Sequence, residues 1–102
     1  MVSEAKFPQI YNVTLTAANT EYFLDLPTHT RKILIHSRDE TIFRMSFTEN
    51  RVAGSVAPFF TVLANTRYWD DLIFAEGLMD IPITVYFASP NAGTVIEVLV
   101  WV

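Results

Sequence analysis

The sequence contains no cysteine, which removes disulfides, thiolate metal sites and cysteine nucleophiles together. That absence fits a reducing compartment, or a particle assembled in one. Positive charge is scarce: seven Lys and Arg stand against eleven Asp and Glu. No basic stripe is available to neutralise phosphates, so no nucleic-acid partner is expected. The longest apolar runs fall far short of the roughly 20 residues a membrane helix needs, so no membrane partner is expected either. The opening stretch MVSEAKFPQI lacks the apolar core of a secretion signal, and the reading is a soluble, unprocessed chain. Charged residues make up only 18%. A small monomer normally carries more to keep its surface hydrated, so some apolar residues are expected to be buried against a partner.

What is present is enough for a core. The composition is 51% hydrophobic and 14% aromatic over 102 residues, one domain that buries about two thirds of its unfolded surface. Apolar residues alternate with polar ones over short runs separated by turn residues, the pattern of an all-β chain. In residues 10–16, Tyr11, Val13 and Leu15 share one face against Asn12, Thr14 and Thr16. In 21–26 the shared face is Tyr22, Leu24 and Leu26, and in 32–38 it is Ile33 and Ile35. Residues 43–48 alternate most strictly, with Phe43, Met45 and Phe47 on one side. Further strands are expected at 58–64 and 72–78, with loops at 49–55 and 65–71. The chain closes on two alternating runs, 83–88 and 94–102, joined by Ser89-Pro90-Asn91-Ala92-Gly93 and read as a hairpin. Seven to eight strands at this spacing predict an antiparallel β-sandwich or jelly roll. Residues 1–9 read as an extended N-terminal arm, since Pro8 blocks a helix there, and residues 10–102 as the single domain.

No catalytic or cofactor motif is visible, and neither a cofactor nor a metal is expected. His29 and His36 lack ligand spacing and a third donor, and read as surface polar residues. Asp70 and Asp71 point to opposite faces if extended, so they read as a solvated turn opening a strand. No Ser-His-Asp arrangement or nucleophile elbow appears. An enzyme is therefore the least supported class.

The candidate residues are those of an interface. Tyr68 and Trp69 are large aromatics in a polar stretch. Three readings stand: stacking on a sugar ring, anchoring a protein interface, or Trp69 capping one end of the core. In the last strand Val95, Glu97, Leu99 and Trp101 oppose Ile96, Val98, Val100 and Val102, so both faces are largely apolar. Such a strand is either covered on both sides or presents one face to another subunit. If that face is covered, Glu97 needs a basic partner, for which Arg44 is a candidate; otherwise it lies in solvent near a sheet edge. Val2 and Phe7 are the apolar anchors with which the arm would reach a neighbouring subunit.

Four segments carry a family likeness: NTEYFLDLP at 19–27, KILIHSRD at 32–39, FRMSFT at 43–48 and ITVYFASPNAGTVIEVLVW at 83–101. Together they resemble small β-rich virion accessory proteins of tailed bacteriophages. The resemblance implies a structural role in the virion: a decoration or cement protein, made in the host cytoplasm. Such a protein binds the major capsid protein or other virion proteins and forms a homo-oligomer, a dimer or trimer. A tail or neck component belongs to the same class. The other reading is a carbohydrate-binding module with a glycan on Tyr68 and Trp69.

Overall fold

The computed structural model of the chain describes residues 8–71 and 83–102. The regular elements among them are all strands: β1 (Pro8–Leu15), β2 (Tyr22–Asp25), β3 (Lys32–Ser37), β4 (Phe43–Ser46), β5 (Phe60–Val62), β6 (Tyr68–Asp71), β7 (Thr84–Ala88) and β8 (Thr94–Trp101). β-Branched and aromatic residues at alternate positions favour this pleated, half-buried state. Several links turn on residues at positive φ, among them Asn19, His29, Asn50 and Asn65, types that tolerate the left-handed region better than most.

The strands form two four-stranded sheets, β1-β8-β3-β6 and β2-β7-β4-β5. The first strand pairs with the last, the second with the seventh, the third with the sixth and the fourth with the fifth, all antiparallel. Ladders between β3 and β8 and between β4 and β7 complete each sheet. This is a long antiparallel ribbon folded over into two layers, the wiring of a jelly roll. The expected all-β sandwich forms, with eight strands among the described residues.

The faces expected to be buried are buried or half-buried, except at Phe47. Leu15, Ile33, Ile35, Ile96, Val98 and Val100 of the first sheet meet Phe43, Met45, Val62, Val85 and Phe87 of the second, with Leu26 beyond β2. Phe43 and Phe87 pack edge to face with ring centroids 6.2 Å apart. Each such side chain contributes roughly 1.5–3 kcal/mol by leaving water, so the interior between the sheets holds the fold.

The closing runs are strands, but they do not make a hairpin. β7 belongs to the second sheet and β8 to the first, and residues 89–93 form a corner between the layers. Hydroxyls hold this corner. Ser89 Oγ donates to Ile42 O at 2.9 Å and accepts from Asn91 N at 3.1 Å, while Thr94 Oγ1 donates to Asn91 O at 2.7 Å. Gly93 takes φ +83°, strained for any other residue, and its N–H donates to Leu15 O at 2.8 Å. Five residues suffice to cross the ~10 Å between packed sheets. A strand apolar on both faces then gains more from a central place, between β1 and β3, than from a hairpin.

Other expectations change. β1 starts inside the expected arm, because Pro8 and Gln9 pair with Trp101 and Val100. Residues 68–71 are not a loop: Tyr68–Asp71 is β6, paired along β3, since the ladder offers hydrogen-bond partners a polar loop would lack. The fifth strand is shorter than expected, and Phe47 lies beyond β4, half-exposed. The strand expected at 72–78, and Val2 and Phe7, lie outside the described residues.

Candidate interaction face

Alternation and register together decide what the outer face of the first sheet displays. The inner residues of β1, β8, β3 and β6 are spoken for by the core, so the residues between them point outward. Aligning the ladders gives rows that run across the strands. One row is Ile10, Leu99, Leu34 and Trp69, one residue from each of the four strands. It is apolar from edge to edge. Ile10 is 70% and Trp69 57% exposed, with Leu34 and Leu99 half-buried between them. An open trough of about 240 Å³ lies along it, bounded by Ile10, Leu34, Leu99, His36 and Glu97.

Charged rows flank the apolar one. On one side, Trp101 pairs with Lys32 and Lys32 with Asp71. The Lys32 ammonium stands 5.1 Å from the ring centroids of both Trp69 and Trp101, a double cation–π contact that orients the two indoles. On the other side Glu97 lies between Asn12 and His36. His36 Nε2 is 3.0 Å from Glu97 Oε1, and Arg38 Nε donates to Glu97 Oε2 at 2.8 Å. The Arg38 hydrogen bond holds the Glu97 carboxyl below its ordinary value, against desolvation; the charges of Arg38 and His36 lower it further.

The basic partner expected for Glu97 was Arg44, and that is corrected. Arg44 is in the other sheet, where its Nε donates to Val52 O at 2.6 Å and its Nη2 to Asn19 Oδ1 at 3.0 Å. Register explains the difference: β3 lies beside β8 and places His36 directly opposite Glu97.

Of the residues expected at an interface, Trp69, Leu99 and Trp101 come together on this face. Val95 shares it but lies opposite Thr14, beyond Glu97, away from the apolar row. Tyr68 separates from Trp69, because neighbours on a strand point to opposite sides. It turns inward and closes the seam between the sheets, its ring 5.5 Å from that of Phe60. Its hydroxyl donates to Asp70 Oδ2 at 3.0 Å; burial first, then Asp70, pushes its pKa up to about 12. Trp69 does not cap the core, since it lies on the outer face. Asp70 and Asp71 lie within β6 rather than in a turn, and face opposite ways as their adjacency requires. Beside the seam is a second pocket of about 340 Å³, lined mainly by Met45, Phe47, Pro58, Phe60 and Tyr68.

Sequence reasoning missed Ile10, Leu34 and Lys32 as members of the face. The signal was a lone apolar residue on each strand's polar side: Ile10 beside Asn12 and Thr14, Leu34 between Lys32 and His36. Only the strand order places them in one row. Among the described residues, no group of three His, Asp or Glu converges as a metal site, and no helix is long and apolar enough to cross a membrane. No family model, curated protein or solved structure matches this chain.

Proposed function

We propose that the chain is a non-enzymatic structural protein of a tailed-bacteriophage virion, a decoration or cement protein that works by protein–protein contact with the shell. The observation that carries this reading is the apolar row Ile10–Leu99–Leu34–Trp69, which spans a whole sheet and is backed by a rigid sandwich. A row of that extent, rimmed by charge, has the anatomy of a protein interface: apolar centre and polar rim. The likeness of four segments to phage accessory proteins supplies the setting. The jelly roll agrees with it, being a fold of viral capsid domains, though lectins use it too.

The test is binding to expanded shells assembled from the major capsid protein of the same genome. The wild-type protein is expected to co-sediment with the shells, and Leu34→Asp to stay in the supernatant with an unchanged circular dichroism spectrum. A wild-type protein that never pellets with shells overturns the reading; one that pellets with isolated tails instead moves it to the tail or neck.

The glycan reading draws on one observation, the two indoles of Trp69 and Trp101 on a single face. Lys32 already occupies a face of each ring, which favours the protein partner. A glycan array on which binding appears and disappears with Trp69→Ala would reverse that preference.

A further inference from the structure

The outer face of the first sheet is its own complement, and we infer that a second copy of this chain covers it. The inference rests on the reading above that this face is a docking surface, and it names the occupant. Consider a line parallel to the strands, roughly 5 Å outside the outer face and above the midline between β8 and β3. Two strands lie on each side of it, β1 and β8 against β3 and β6. Rotating a second copy by half a turn about that line brings β8 over β3 and β1 over β6.

Every row then meets a matching one. Leu99 of one copy faces Leu34 of the other, and Ile10 faces Trp69, so the apolar row is covered along its length. In the row above, Glu97 faces His36; in the row below, Trp101 faces Lys32. These pairings follow because the rows join Leu99 to Leu34, Glu97 to His36 and Trp101 to Lys32 across the ladder between β8 and β3. Each flanking row already sets an acceptor or aromatic ring beside a cation or imidazole. A two-fold that exchanges the strands sets each group over its complement in the other copy, once in each direction. An isologous interface requires such self-complementarity of a single patch. A two-fold across the strands would instead set Leu99 over Leu99 and Trp101 over Glu97, with no match for Lys32 except His36.

The geometry is one that sheets adopt. Rotation about a line along the strands leaves their directions aligned, and stacked sheets prefer axes within about 30° of each other. The twist displaces residues far from the axis most, and Leu34 and Leu99 lie nearest it. Phe47, Phe60 and Leu63, exposed and not on this sheet, stay open for contact with a shell, so in the dimer Leu34→Asp loses shells by losing two-point attachment.

The absence of cysteine makes the test clean. Facing sheets stand roughly 10 Å apart, beyond direct disulfide reach, so a short bifunctional methanethiosulfonate reagent is the probe. Ile10→Cys and Trp69→Cys proteins, distinguished by mass, are mixed and cross-linked. Facing Ile10 and Trp69 stand roughly 10 Å apart, whereas two like residues are offset by a further three strand spacings, about 14 Å, so the mixed product is expected to exceed either homodimer well beyond the twofold of random encounter. Light scattering on the full chain is expected to give a dimer for wild type and a monomer for folded Leu34→Asp.

A wild-type monomer overturns the second copy as occupant, and so does a dimer indifferent to Leu34→Asp or one whose Ile10→Cys protein links chiefly to itself. Co-sedimentation with shells separates this failure from that of the parent reading. A monomer that binds shells and loses them with Leu34→Asp keeps the docking face and gives it to the shell. A monomer that binds no shell removes both.

Discussion

The two outer faces of this sandwich are built on the same number of strands and treated in opposite ways. On the second sheet the chain covers part of its own face. Residues 47–59 run from β4 to β5 and fold back over β4, burying Val52 completely, together with Ser46 and Ala88. Side chains of the sheet hold the loop down: Arg44 Nε donates to Val52 O at 2.6 Å and Ser46 Oγ to Pro58 O at 2.8 Å. Asn50 N donates to the Glu21 carboxylate from the rim of the sheet. What stays open there is chiefly Phe23 beside Tyr86. On the first sheet a continuous apolar row is left open among the described residues. This chain has the means to cover a face from within and uses them on one side, so the other side's open row reads as a surface for something else.

That contrast makes ordered predictions. The largest effect is expected where the loop is buried. Val52→Asp places an unpaired carboxylate in a fully covered site and should cost roughly 3 kcal/mol or more in urea unfolding. Arg44→Ala removes a charged donor with two acceptors and should cost about 2 kcal/mol, with faster proteolysis of the 47–59 loop. On the open face the same experiments should barely register. Ile10→Ser is expected to change monomer stability by no more than ~0.5 kcal/mol while lowering the fraction of dimer. A loss as large as that of Val52→Asp would mean that the row is held from within after all.

The smallest effect is a pH dependence at the rim of the open face. Glu97 has a folded pKa below its ordinary 4.5. Its contribution is therefore present above that value and lost as pH falls through the depressed one. Urea midpoints of wild type and Glu97→Gln, followed downward from about pH 6, should converge below the ordinary carboxylate range, with wild type losing more.

Much of this was legible in the chain. The shared apolar faces of β1, β2 and β3, and Phe43 and Met45 of β4, turn inward as alternation predicts, because a buried face imposes period two, and period two is a property of neighbours in sequence. The pairing of the closing runs is hidden for a related reason. Alternation shows that 83–88 and 94–102 are strands, yet it is silent on whether they pair with each other or with strands at the far end of the chain. In sequence Tyr68 and Trp69 look like one aromatic feature of a loop; as part of β6 they serve opposite sides of a sheet. Sequence does not single out Arg38 and His36 over Arg44 as partners of Glu97, since choosing a partner needs the strand order.

The sequence by itself determined the class of fold, the identity of the core and the presence of surplus apolar residues. Those depend on local alternation and composition. Tertiary structure alone decided that Ile10, Leu99, Leu34 and Trp69 form one row and that Lys32 and Glu97 flank it. The reason is that a row across a sheet joins residues tens of positions apart through hydrogen bonds between backbones, and those bonds carry no mark of the side chains they bring side by side.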